Sequence, residues 1–271
     1  MLIPPLLSMR NNSKKYYNQN GFVYLDIARL SSYIKDIREI ITKAYSKNID
    51  FYLREKHDLY HKRNAKVLDQ INKEIDTKSF RNAAAQIISE ELGIKNKFLT
   101  SSFISYLATR PSNQGKKIHA DHEFVDFHRE NFYTDHGYAN HQINVWVPVF
   151  DVKFLQNFKY VPNSHLINDE DIIVKRDNNK FIKKHSYAHK CGLNYAPKRI
   201  ISGVNLKKAK RFKVPKNKFL ILNANLIHGG GINLTNKIRF AISFSLIEDV
   251  YFKGIKIPIN FRSKKPHFIN L

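Results

Sequence analysis

The sequence predicts a mainly β, α+β protein in which a helical layer precedes an antiparallel β core. Three observations lead there. Up to about residue 100, apolar residues recur at three- and four-residue spacing, the period of a helix with one buried face. From Ser101 the period falls to two. Residues 141–150 then alternate cleanly: Ile143, Val145, Val147 and Val149 take one face, and Gln142, Asn144 and Trp146 the other. An apolar face opposite an amide-rich face fits a barrel whose interior holds a polar site.

The elements follow in order. Phe22–Leu25 reads as a strand, and Asp26 is placed to cap the helix after it. Ile27, Leu30, Ile34, Ile37, Ile41 and Ala44 form one apolar stripe over 27–45. Residues 48–60 read as irregular. A second helix is expected over 61–75, with Val67, Leu68, Ile71 and Ile75 inward. A third runs from a cap at Thr77 to Leu92, where Gly93 suits its end. Residues 103–107 read as the first core strand, and Arg110–Gly115 as the turn leaving it. The polar, aromatic stretch 122–140 lacks the periodicity of a buried element and is expected to contact substrate. Val161–His165 reads as the turn ending the next strand. Residues 166–213 are charged and irregular, which suggests a lid-like insertion. Two further strands are expected at 219–223 and 237–247. The whole chain, 1–271, reads as a single domain: helical layer 1–100, core 101–250 and basic tail 251–271.

The chain has 46 Lys and Arg against 23 Asp and Glu, a net charge of +23. Two explanations stay open. One is an anionic partner. The other is composition, since Lys, Asn, Ile, Tyr and Phe are all abundant and the basic residues are dispersed. That dispersal argues against nucleic acid. One cysteine, Cys191, forms no bridge within the chain, which fits a reducing compartment. The apolar run in MLIPPLLSMR is too short for a signal peptide, and no segment is long and apolar enough to span a membrane. A cytoplasmic protein is the expectation. Oligomeric state is not readable.

The chemistry concentrates in two places. His119-Ala120-Asp121 is a His-x-Asp pair, and His228 lies far downstream beside Gly229–Gly231. Two histidines and one carboxylate are the ligand set of the facial triad, which holds Fe(II) on one face and leaves the other open. Arg239 follows His228 by eleven residues on an alternating run. It shares its face with Ala241, Ser243 and Ser245, small residues that leave room beside it. A guanidinium pairs bidentately with carboxylate, the geometry a keto-acid co-substrate needs. A buried, lone Arg is costly without an anion. Gln142 and Asn144 face the same interior and are placed to hydrogen-bond that keto acid, and Ser243 joins them. His165 reads as part of its turn rather than as a ligand.

These pieces resemble the Fe(II)/2-oxoglutarate-dependent oxygenases, in the phytanoyl-CoA dioxygenase-like branch. The motifs that carry the likeness are Gly21–Leu25, His119–Asp121, His141–Asp151, Val161–His165 and Asn223–Arg239. The last two look closest to oxygenases encoded among surface-carbohydrate genes. The resemblance implies a double-stranded β-helix, a cupin-like jelly-roll with N-terminal helices packed on the sheet. It also implies Fe(II) on His119, Asp121 and His228, and 2-oxoglutarate as co-substrate with its far carboxylate on Arg239. The implied reaction couples decarboxylation of 2-oxoglutarate by O2 to hydroxylation of a C–H bond. The expected substrate is a polar or anionic small molecule such as a sugar, sugar acid or nucleotide sugar. Three alternatives remain beside it: an oxygenase of acyl thioesters or small metabolites, a demethylase of alkylated nucleic acid, and a non-catalytic carbohydrate-binding jelly-roll.

Overall fold

The structure is a computed structural model that describes residues 6–112, 127–129, 140–176, 198–229, 232–254, 256–259 and 266–271. The helical layer comprises α1 (Leu6–Asn20), α2 (Ser31–Ala44), α3 (Ile49–Arg54), α4 (His57–Glu74) and α5 (Thr77–Leu92). The first strand, β1 (Phe22–Asp26), lies between α1 and α2. The core strands follow: β2 (Phe98–Ser101), β3 (Ser105–Thr109), β4 (Gln142–Pro148), β5 (Lys159–Tyr160), β6 (Ile173–Arg176) and β7 (Lys198–Ser202). The last are β8 (Lys210–Arg211), β9 (Lys218–Asn223), β10 (His228–Gly229), β11 (Arg239–Glu248) and β12 (Phe268–Asn270).

Among the described residues the strands form two principal antiparallel sheets. The larger runs β1-β9-β4-β11-β2-β12, with β3 beside the start of β11. The smaller runs β10-β5-β8, and β6 and β7 pair separately as a ribbon. The α2 stripe packs on the outer face of the large sheet. Leu30, Ile34, Ile37 and Ile41 meet Val145, Val147, Ile221, Ile242 and Phe244 in one buried cluster. The opposite face of the same strands supplies Phe22, Trp146, Leu220, Leu222 and Ala241, which pack with Phe212, Phe158 and Tyr160 from the small sheet. Strand alternation thus divides the molecule into a helix-facing core and an interior between two facing sheets. This is the expected jelly-roll, open rather than closed in its described strands.

Several expectations are corrected. Residues 48–60 are helical: Asn48 caps α3 by accepting from the Asp50 amide at 3.0 Å, and α4 starts at His57. The cap of α5 is Asp76, not Thr77; its carboxylate accepts from the Lys78 and Ser79 amides. The strand expected at 103–107 begins at Ser105, and Phe98–Ser101 forms a strand of its own. α1 was not expected. Residues 166–213 contain more order than predicted, since β6 pairs with β7 and β8 completes the small sheet. The end of the basic tail is also structural: Phe268–Asn270 pairs with Leu99–Ser101 at the sheet edge.

Candidate active site

The interior between the sheets carries the polar groups. β10 pairs with β5, setting His228 opposite Tyr160. The His228 Nδ1–H donates to the Leu226 carbonyl at 2.7 Å. That bond fixes the tautomer and leaves Nε2 as the lone-pair nitrogen, the arrangement found in metal-binding histidines. Burial holds the ring below the usual histidine range, against the raising effect of that carbonyl contact.

Arg239 starts β11 opposite Thr109 of β3. Its side chain is buried. Nη1 donates to the Gln156 carbonyl at 2.6 Å and Nη2 to Thr109 Oγ1 at 2.9 Å. Gln156 is itself pinned: its amide donates to the Lys237 carbonyl and accepts from the Lys153 N–H. Trp146 and Phe158 flank the guanidinium, with ring centres 5.9 Å and 5.8 Å from Cζ. Arg239 Nε is buried with no hydrogen-bond partner. No carboxylate pairs with Arg239 among the described residues. Burial, with the nearby Arg211 adding to it, pushes the guanidinium down to about 10. It therefore remains a cation at neutral pH, desolvated and short of one acceptor.

Gln142 and Asn144 face the interior as expected, and both are buried. They are tied to each other: Gln142 Nε2 donates to Asn144 Oδ1 at 2.7 Å and to Ser245 Oγ at 3.0 Å. Ser243 Oγ donates to the Val145 carbonyl across the strand pair. Ser243 lies four positions from Arg239 along β11, about 14 Å away at the rise of an antiparallel strand. His119 and Asp121 lie outside the described residues, as do Gly230 and Gly231. His165 is structural: its Nε2–H donates to the Asn18 carbonyl at 3.0 Å.

Sequence reading missed three residues of this interior. Thr109 and Phe158 frame Arg239, and neither has a motif. His128 forms an antiparallel bridge with His228, and the two rings lie 4.5 Å apart. A cavity of about 540 Å³ lies elsewhere, between Val161–Asn163 and Gly203–Lys210. Val161 packs there with Ile172 and Ile227, on the side of the small sheet away from His228.

The profile of the phytanoyl-CoA dioxygenase (PhyH) family matches residues 17–241, most of the chain. The chain belongs to the PhyH family. As a PhyH protein it is an Fe(II)- and 2-oxoglutarate-dependent oxygenase. Solved structures share the fold at low identity. EvdO2 from Micromonospora carbonacea var. aurantiaca, complexed with 2-oxoglutarate, is 13% identical and has a TM-score of 0.56. The alignment covers 88% of this chain and 90% of that one. The epimerase SnoN, in complex with Fe3+, alpha ketoglutarate and nogalamycin RO, is 14% identical with a TM-score of 0.51, over 97% and 98% of the two chains. SnoK, an alpha ketoglutarate dependent carbocyclase from nogalamycin biosynthesis, is 12% identical with a TM-score of 0.51, over 94% and 92%. No curated protein matches the sequence. No described helix is long and apolar enough to cross a membrane.

Proposed function

We propose that this PhyH oxygenase hydroxylates a C–H bond of a polar, anionic small molecule, such as a sugar acid or nucleotide sugar in surface-carbohydrate biosynthesis. His119, Asp121 and His228 are the sequence-assigned Fe(II) ligands, and Arg239 takes the far carboxylate of 2-oxoglutarate. The observation that carries the co-substrate site is the buried Arg239 Nε without an acceptor. A carboxylate placed there satisfies the missing bond and the missing countercharge together.

Iron and 2-oxoglutarate, when bound, would supply the oxidising equivalent from O2, with succinate and CO2 as co-products. The chain's own residues hold, orient and dry the site. The Gln156 carbonyl and the Thr109 hydroxyl fix the plane of the guanidinium and leave Nε–H without a protein acceptor. Trp146 and Phe158 keep water from its faces, which strengthens the ion pair by lowering the local dielectric. The Leu226 carbonyl holds the His228 tautomer that presents Nε2. Gln142, Asn144 and Ser243 form the polar interior wall, where the linked amides present a fixed rather than an adaptable set of hydrogen-bonding groups. The anionic substrate is supported by the net charge of +23 and by the likeness of 223–239 to carbohydrate-cluster oxygenases. Binding of a small organic molecule also has a parallel in SnoN, which holds nogalamycin RO.

Succinate release, measured with Fe(II), O2 and a panel of sugar nucleotides, sugar acids, free sugars and acyl thioesters, tests the proposal. Stimulation by the anionic sugars is the expected result. Stimulation by an acyl thioester alone moves the assignment to a different substrate class.

A further inference from the structure

A single exposed apolar side chain is ordinary on a folded surface, whereas several gathered in one place mark a contact. Phe154, Leu155 and Leu234 are 51%, 46% and 44% exposed. They lie on the 153–157 turn before β5 and the 232–237 loop before β11, and these two segments are tied side by side. The Leu234 N–H donates to the Leu155 carbonyl at 3.0 Å. Arg211 Nη1 donates to the Leu155 and Ile232 carbonyls, at 3.4 Å and 3.1 Å. Gln156 Nε2 donates to the Lys237 carbonyl at 3.1 Å. The two tips therefore form one cross-linked projection that carries three large apolar side chains.

Two features say what this projection fits. The first is charge. Lys153 and Lys237 are both exposed, and they bracket Gln156, whose side chain bonds to the backbone of each. Arg211 adds a third cation. Within 151–159 and 232–237 the single acidic residue is Asp151, and it pairs with Lys216 at 3.6 Å. A second copy of the chain would set one basic rim against another, with +23 on each molecule. The second feature is the backbone. Entry into a medium poor in water penalises polar groups that lack partners. Here the Lys153, Phe154 and Leu155 carbonyls all accept hydrogen bonds, from the Gln156, Asn157 and Leu234 amides. In the neighbouring loop the Thr235 N–H donates to Asn233 Oδ1, and the Lys237 N–H to Thr235 Oγ1.

We propose that this projection docks the protein on the surface of an anionic lipid bilayer. Phe154, Leu155 and Leu234 enter the boundary between headgroups and acyl chains, and Lys153 and Lys237 meet the acidic headgroups. Lysine suits that depth, because its stem lies along apolar surface while the ammonium stays with the phosphates. The attachment is peripheral and reversible. Gln156, in the same turn, supplies the carbonyl that accepts from Arg239 at 2.6 Å, so docking holds the candidate co-substrate site close to the bilayer surface.

The test uses the full chain and vesicles of phosphatidylcholine, with and without phosphatidylserine. Binding is read by cosedimentation. Insertion is read from the emission of a Phe154→Trp protein and its quenching by brominated acyl chains, with the wild-type signal of the buried Trp146 as reference. Wild type should bind the phosphatidylserine vesicles and bind phosphatidylcholine alone far less. Phe154→Trp emission should shift to the blue and be quenched. Replacing all three apolar residues, Phe154→Ser, Leu155→Ser and Leu234→Ser together, should lower the partition coefficient by on the order of 100-fold. Lys153→Gln and Lys237→Gln should each lower it about fivefold at low salt. Far-UV circular dichroism and Tm check that the variants fold, and the quenching experiment does not depend on the triple variant. Absence of wild-type binding to the anionic vesicles overturns the proposal, as does absence of quenching in vesicle-bound Phe154→Trp. Undiminished binding by the folded triple variant assigns vesicle binding to the dispersed +23 charge and overturns it too. Self-association in sedimentation velocity that the triple variant abolishes, without vesicle binding, makes the patch an interface between copies and overturns it likewise.

Discussion

Arg239 enters the interior from the first position of β11 and finds two neutral acceptors, the Gln156 carbonyl and Thr109 Oγ1. Neither neutralises its charge. A cation in such a place is destabilising until an anion arrives, so ligand binding and folding stability are coupled there. At a hundredfold excess over Kd, 2-oxoglutarate should stabilise the protein by about 2.7 kcal/mol, read as a rise in Tm. Arg239→Ala removes the countercharge. It should weaken 2-oxoglutarate by about 2–5 kcal/mol, roughly 30-fold to several thousand-fold, while Fe(II) still binds. Arg239→Lys keeps the charge and loses the fork that Thr109 and Gln156 hold, so it should recover only part of the affinity. An unchanged KM for 2-oxoglutarate in Arg239→Ala would return the residue to a purely structural role. This residue was legible in the sequence because three independent signals coincided: its spacing from His228, its strand face and its small neighbours. Thr109 and His128 had no such redundancy. Each acquires meaning only from the residue opposite it on another strand, and a single sequence does not show strand pairing.

Local chemistry explains which elements were legible. The α2 stripe and the alternation of β4 are long, periodic patterns, and both appear in the structure on the expected faces. Short elements carry too few residues for a period, so α3, β5, β8 and β12 depend on caps and partners instead. The Asn48 cap and the Asp76 cap lie one residue or more from where the apolar pattern draws the eye. The C-terminal stop of α5 was readable, because Gly93 takes φ +64°, a conformation that side chains resist. A Cβ there meets nothing within 4 Å, so Gly93→Ala isolates the backbone strain. It should cost about 1–2 kcal/mol, read as a lower Tm with unchanged cofactor affinity. A second junction, between α1 and the turn after β5, depends on protonation. A Cβ on Gly21 would lie 2.7 Å from the His165 ring, and His165 Nε2–H bonds to Asn18. Burial holds His165 below the usual histidine range, against the raising effect of the Asn18 carbonyl. The fold therefore favours the neutral ring. Its contribution to stability is complete above the ordinary histidine pKa and falls away as pH drops through that value toward the lower folded one. Tm should decline as pH falls through the ordinary histidine value of about 6.5, and His165→Gln should flatten that part of the curve. A His165→Gln profile identical in shape to the wild type would remove His165 from the acid response.

Across the whole molecule the dominant property is charge, and the structure shows how it is carried. Three buried cations lean on backbone carbonyls: Arg81 donates to the Thr77 and Ser101 carbonyls, Arg110 to those of Tyr52 and Glu55, and Arg129 to those of Ser164 and Ile167 while also pairing with Asp169. These are structural uses, and they account for only a few of the 46 basic residues. The rest are dispersed along the chain, and whether their summed field reaches the site is a question of range. If that field attracts an anionic substrate, kcat/KM should fall as salt rises, because the Debye length contracts from about 30 Å at 0.01 M to about 8 Å at 0.15 M. The proposed contact between 2-oxoglutarate and Arg239 would be buried and close, so its KM should respond much less over the same range. Lys183 and Lys184 belong to the 166–213 stretch expected to border the site, and they lie outside the described residues. Neutralising both should lower kcat/KM for the anionic substrate at low salt and change it little at high salt. Succinate formation without substrate should stay the same in that variant, since attraction acts on encounter and not on the co-substrate. A salt-independent rate with a neutral, apolar substrate would assign the +23 charge to composition and move the substrate toward an acyl or small-metabolite class.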